Sequence, residues 1–197
     1  EMSGLLCRLL EQRRVAVIGG GWFPVFQWQL LQDLSCPPAL LERLFLFPTS
    51  GAMFLRYVHG WKEVYAHGLS DQERVEIKGA FKKAFADIGY RHPDVLYGEE
   101  IEDRGTQITF SALGQNAPIE LKDAYKGSVD DRRWEIVDAL KKYIPQFEIK
   151  VPGKTSIDVT MKGIDKGYGV EQMREHLGVE IAKMIFVGDA LYPGGND

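Results

Sequence analysis

The stretch MIFVGDALYPGGND, Met184 to Asp197, carries the reading of the fold. Its apolar run Met184-Ile185-Phe186-Val187 has the length and composition of a buried parallel strand. Gly188-Asp189 would then stand at the strand's carboxyl end, where open α/β sheets place their ligands. After Gly194-Gly195-Asn196 comes a second carboxylate, Asp197. Two carboxylates and an amide facing one crevice suit Mg²⁺, a hard cation that takes oxygen ligands and keeps several waters. A helix cap at Asp189 followed by a surface turn would account for the same residues.

Working outward, both ends of the chain alternate strand and helix. Met2 to Gln12 places Leu5, Leu6, Leu9 and Leu10 at helical spacing. Val15 to Ile18 is a short apolar run that breaks into Gly19-Gly20-Gly21, and Pro24 opens a further helix through Phe26 to Leu34. Leu44 to Phe47 is expected as a second core strand, and Phe54 to Tyr65 as a hairpin around His59-Gly60. Near the other end, Ser156 to Thr160 is expected as a strand, Lys166 to about Leu177 as a helix, and Met184 to Val187 as the last strand.

The middle third differs. Ser70, with Glu73 three residues on, signals the capping box of a long helix that reaches about Ile88. Thr106 to Phe110 and Phe147 to Val151 suit strands, and Asp131 to Tyr143 a helix stopped by Pro145. Two helices with antiparallel strands form an α+β block inside an α/β chain. The expected architecture is therefore a three-layer α/β core with a parallel sheet, built from residues 1–66 and 155–197. An inserted α+β cap at 67–154 is expected to lie over the carboxyl ends of the core strands.

The 197 residues are 45% apolar and 26% charged, ordinary for a packed globular protein. A net charge of −4 gives no general attraction to nucleic acid or anionic membranes, and no stretch has the length of a membrane span. A homodimer is compatible with these properties. Cys7 and Cys36 form neither a metal-ligand spacing nor a disulfide framework, so a reducing cytoplasm is the expected location.

Other residues have chemical potential beside plainer roles. VAVIGGGW, Val15 to Trp22, departs from the dinucleotide fingerprint because Pro24 stands where its third glycine belongs. A glycine turn between strand and helix can still cradle a phosphate through backbone N–H groups, or be only a tight turn. Lys166, opening a helix in GIDKGYG, can hold a phosphoryl group as a point charge, or be a solvated surface lysine. Ser156 and Asp158 alternate along TSIDVT and share one strand face, which suits sugar hydroxyls or plain exposure to solvent. Arg104 is a phosphate fork or an ion-pair partner, and the four histidines do not cluster.

Together these motifs resemble haloacid-dehalogenase-type phosphatases of the Cof-type subfamily. GDALYPGGND is similar to their fourth motif, KGYGVEQM to the third and VAVIGGG to the second. EDRGTQITFSALGQ, TSIDVT and GIDKGYG resemble the eukaryotic-type phosphomannomutase branch, whose large cap follows the third core strand. The resemblance implies Mg²⁺ held by Asp189 with Asp197 as the second acid, and Lys166 steadying the phosphate and the nucleophile. It also implies backbone contact with the phosphate at Gly19 and Gly20. In the cap it implies substrate contacts from Arg104, Lys122, Ser156 and Asp158, and hence a small phosphorylated sugar or polyol as partner.

Three departures bear on function. The Asp-x-Asp-Gly-Thr motif that carries the nucleophile and general acid does not occur in this sequence. Its strand is expected before the first helix and between the two terminal core strands. The 197 residues are therefore expected to be an incomplete copy of the domain, poorly stable and inactive alone. The hydroxyl of the second motif is replaced by glycine. Of three cap arginines in the branch, the first is kept as Arg104, the second is Gln115 and the third aligns with Lys122. A planar bidentate donor lost at Gln115 weakens a grip on a second phosphate. Phosphatase is thus expected ahead of mutase, with a non-catalytic sugar-phosphate-binding module as the other class.

Overall fold

A computed structural model describes residues 2–192 and 197. Pro193 to Asn196, which include most of the expected glycine turn, lie outside the described residues. The chain divides into two units, 1–67 with 164–197, and 68–163.

The first unit is a mixed four-stranded sheet in the order β1-β2-β3-β4, formed by Val15–Ile18, Leu44–Phe47, Met53–Tyr57 and Trp61–Ala66. Only β1 and β2 are parallel, and β3 and β4 extend the sheet as an antiparallel hairpin. Helices cover both faces, so the α/β class and its three layers follow from which strand residues point which way. On one face Leu44, Leu46 and Leu55 pack with Leu10 of α1 (Met2–Gln12) and Phe26 of α2 (Phe23–Phe26). On the other, Phe45, Phe47 and Phe54 pack with Met173, which belongs to α7 (Lys166–Leu177). Phe47 and Phe54 stack with ring centroids 4.6 Å apart. Alternate residues of β2 thus feed two clusters, which is why a strand with no polar residue is buried along its whole length. The helix after the glycines is irregular: α2 runs into a π-helical turn, Gln27–Leu31, and a short α3 (Pro38–Leu41) precedes β2.

Two expectations fail in this unit. Met184 to Val187 form no strand, and Ile185 and Val187 are 93% and 87% exposed. An apolar run becomes a strand only where a neighbour accepts its backbone hydrogen bonds, and among the described residues no strand pairs with this one. Cys7 and Cys36, read from the sequence as unbonded, form a disulfide with Cα atoms 5.4 Å apart. Their 29-residue separation conceals the approach, which comes from α1 packing where Cys7 and Cys36 join the Leu10–Phe26 cluster. Disulfides are rare in an ordinary cytosol, so the cysteines no longer support that location. Among the described residues, no helix is long and apolar enough to cross a membrane.

The second unit holds α4 (Asp71–Ile88), β5 (Ile101–Asp103), β6 (Gln107–Ser111), α5 (Ile119–Tyr125), α6 (Arg133–Tyr143), β7 (Phe147–Lys150) and β8 (Ser156–Met161). Ser70 caps α4 through the anticipated box: the Glu73 carboxylate accepts from the Ser70 N–H at 2.7 Å, and the Ser70 hydroxyl accepts from the Glu73 N–H at 3.3 Å. Such a cap is worth about 1 kcal/mol. Gly89, at φ +58°, ends the helix in the left-handed conformation. The sheet runs β5-β6-β8-β7 with every pair antiparallel. Ile108 and Phe110 of β6 and Ile157 and Val159 of β8 bury one face against Phe81 of α4 and Leu140 of α6.

The boundary expected at 155 therefore moves. Residues 155–163 belong to the second unit because β8 is a central strand of its sheet, hydrogen-bonded on both sides. Period-two alternation identifies a strand but not the sheet that receives it.

Candidate functional site

In the first unit, Asp165 caps α7, accepting from the Tyr168 N–H at 2.8 Å. This puts Lys166 in the helix's opening turn, where the macrodipole favours anions. The Lys166 ammonium donates to Asp197 Oδ1, and these side chains are 17% and 4% exposed. The other carboxylate oxygen, Oδ2, accepts from the Ala190 N–H at 3.0 Å. The hydrogen bond from Lys166, then that from Ala190, hold the Asp197 carboxyl below its ordinary range. Gly188 makes this approach feasible, since a Cβ there would lie 2.7 Å from Asp197 Oδ2. Asp189 is exposed and among the groups that influence Asp197.

The glycine turn is pinned to the same unit. Ser50 N–H donates to Gly19 O at 2.8 Å and Thr49 N–H to Gly21 O at 2.9 Å. Gly19 N–H is itself spent on Phe47 O at 3.2 Å, whereas Gly20 is exposed with open space at its Cα. Beside this turn lies a cavity of about 380 Å³ lined by Gly19 to Gly21, Val17, Phe26 and Leu30.

No sequence motif marks the turn at Thr49 to Gly51. Thr49, Ser50 and Gly51 take φ values of +48°, +58° and +92°, a run that costs a β-branched residue especially. A Cβ on Gly51 would stand 2.5 Å from the Gly169 Cα, so α7 sits backbone-to-backbone on this turn. The contact sets where α7, and with it Lys166, stands relative to Gly19. The signal in the sequence was Gly51 itself, but a lone glycine does not say which helix approaches it.

Asp189 and Asp197 fit Mg²⁺ by donor chemistry, because that ion commonly takes one or two carboxylates and draws its remaining ligands from water and phosphate. They do not fit a closed protein cage: among the described residues no three His, Cys, Asp or Glu side chains gather.

In the second unit, the sheet face opposite the core is polar. Strand register aligns Glu102, Thr109, Asp158 and Lys150 across all four strands. Ser156 lies on the same face, opposite Ser111. Gln107 Nε2 donates to Thr109 Oγ1, which donates to Asp158 Oδ1, both at 2.8 Å. Burial pushes the Asp158 carboxyl up to about 6, although Thr109 and Arg104 pull it down. Arg104 Nε donates to Glu102 Oε2 at 2.6 Å and its Nη2 to Gln115 Oε1 at 2.9 Å. Lys122 Nζ donates to the Gln115 carbonyl at 3.0 Å. Arg104, Lys122 and Gln115 are thus brought together, and Arg104 acts on Asp158. Glu102, Gln107 and Thr109 were not anticipated; only strand register reveals that they join Asp158.

A family model described as eukaryotic phosphomannomutase matches residues 2–197. Among solved structures, N-terminally truncated, IMP-bound IMP-nucleotidase of Plasmodium falciparum matches with a TM-score of 0.63 and 14% identity, over 99% of this chain and 55% of that one. The ATP-bound form of that nucleotidase matches at 0.60 and 12%, over 90% and 44%. The C-terminal domain of the Candida albicans trehalose synthase regulatory protein matches at 0.53 and 13%, over 90% and 56%. At such identities the likeness shows the fold alone, and the chain spans about half the length of these structures. The chain belongs to the eukaryotic phosphomannomutase family, within the haloacid dehalogenase superfamily.

Proposed function

We propose that this member of the phosphomannomutase family serves a Mg²⁺-dependent phosphatase or phosphotransferase acting on a phosphorylated sugar or polyol. The observation that carries this reading is the first-unit cluster: Lys166 in the opening turn of α7, paired with Asp197, with Asp189 beside them. The reaction class is phosphoryl transfer, in which a carboxylate oxygen bonds to phosphorus as the sugar oxygen leaves, and water later releases phosphate. No Asp-x-Asp-Gly-Thr motif occurs in the sequence, and the attacking carboxylate is left unassigned.

Mg²⁺, held by Asp189 with Asp197 as second acid, would neutralise charge on the phosphoryl oxygens. Lys166 supplies a compact positive charge at the helix N-terminus, and Asp197 keeps that ammonium in place. Gly20, with its open Cα, lets a phosphate reach the backbone; Gly19 shapes the turn. The second unit is read as the cap, with Arg104, Lys122, Ser156 and Asp158 recognising the remote part of the substrate.

Family membership favours a mutase, which must grip a second phosphate. Gln115 in place of a guanidinium favours a phosphatase, because it leaves one guanidinium and one ammonium near that position. A panel of sugar phosphates assayed for phosphate release and for isomerisation separates the two. Phosphate release that depends on Mg²⁺ and collapses in Lys166→Met and in Asp189→Asn, the latter with its unfolding transition unchanged, is the expected result. Efficient interconversion of hexose 1- and 6-phosphates would establish the mutase instead. Binding of sugar phosphates without either reaction would leave only a binding module.

A further inference from the structure

We propose that the polar face of the second sheet recognises an uncharged, hydroxyl-bearing part of the substrate and not a second phosphate. This rests on the phosphorylated-substrate reading above and narrows it. The argument begins with charge. Arg104 and Lys122 are the cations near Gln115, and the carboxylates of Glu102 and Asp158 share their surroundings. Arg104 is already ion-paired with Glu102 at 2.6 Å, with the two side chains 12% and 22% exposed. Its Nε and Nη2 edge, one of the edges a guanidinium offers to a bidentate anion, is committed to Glu102 and Gln115. Lys150, aligned with Asp158, is followed on the next rung by Glu148, which repeats the cancellation. A dianionic phosphate would meet no net positive charge here and would lie near two carboxylates.

The second observation is an orphaned donor. Gln115 Oε1 faces Arg104, which fixes the amide's orientation, and its Nε2 is shut off from solvent with no hydrogen-bond partner. A buried unmade hydrogen bond costs about 1–3 kcal/mol, so an incoming oxygen atom that accepts from Nε2 recovers that cost. Asp158 accepts from Thr109 in the series that begins at Gln107, and Arg104, which donates to Gln115, also acts on it. A hydroxyl, itself donor and acceptor, suits surroundings in which Arg104 is shared by an orphaned amide donor and a carboxylate. A phosphate can accept from Gln115 but is repelled by Asp158.

Calorimetric titration of the protein, with Mg²⁺ present, by glucose 6-phosphate and by glucose 1,6-bisphosphate tests this without any variant. The bisphosphate is expected to bind less than about tenfold more tightly than the monophosphate. Gln115→Leu is expected to weaken the monophosphate by about tenfold or more, and Gln115→Arg to swing preference towards the bisphosphate. A wild-type preference for the bisphosphate of about tenfold or more overturns this inference and leaves the phosphoryl-transfer reading standing. Unchanged monophosphate affinity in a folded Gln115→Leu also overturns it. If neither sugar binds, the phosphorylated-substrate reading falls, and this inference with it.

Discussion

The two units bury their apolar residues in different ways. The second unit gathers α4 and α6 onto one face of its sheet and leaves the other face to polar side chains. The first splits its core into two clusters on opposite sides of β2, and its β1 is only half-buried beside the cavity at the glycine turn. The one-sided sheet is written in strict alternation along β6 and β8. The two-sided one depends on partners brought from distant parts of the chain, and its expected last strand is not formed.

The largest effect that would sharpen this contrast is in the second unit. Phe110 is fully buried and its ring centroid lies 5.8 Å from that of Phe81. Phe110→Ala is expected to cost about 3–5 kcal/mol by urea denaturation. A loss near 1 kcal/mol would mean that the cluster collapses around the gap and is not tightly packed.

In the first unit the comparable restraint is covalent. Replacing Cys7 and Cys36 together by serine is expected to lower stability by about 2–4 kcal/mol, because the bridge closes a long loop in the unfolded chain. Wild-type protein unfolded with and without reductant should show the same difference. Identical midpoints would mean that packing by Leu10 and Phe26 already holds α1 in place.

A smaller effect is expected at Asp158. Burial holds its carboxyl at about 6 against an ordinary 3.8, so between these values the folded state keeps a proton that the unfolded chain has lost. Its contribution is therefore most favourable below about pH 3.8, declines as pH rises through the window, and stays low above about pH 6. Asp158→Asn should flatten that decline in melting temperature. Parallel wild-type and variant curves would show that the carboxylate is hydrated and not buried.

The smallest effect is expected at the run first read as a strand. Ile185→Ser, at a side chain 93% exposed, should change stability by less than about 0.5 kcal/mol. A loss above about 2 kcal/mol would place Ile185 in a packed strand after all.

The Ser70 capping box, the alternation in β6 and β8, and the opening of α7 at Lys166 were legible because each is decided within a few residues by local hydrogen bonding or periodicity. The chemistry-bearing residue types, Lys166, Asp189, Asp158 and Arg104, were visible for the same reason. What each of them touches was not. Gln115 could be recognised as an amide, but its orphaned Nε2 follows from where Arg104 and Lys122 come to rest.

Sequence by itself determined the α/β class, the long capped helix and the residue types of both candidate sites, since these rest on short-range preferences. Tertiary structure alone decided which sheet takes Ser156 to Met161, that Cys7 meets Cys36, that Met184 to Val187 pairs with nothing among the described residues, and that Asp197 closes on Lys166. Each of those outcomes depends on a partner far along the chain. Local propensity carries no record of which distant backbone edge, thiol or charge will be available to meet it.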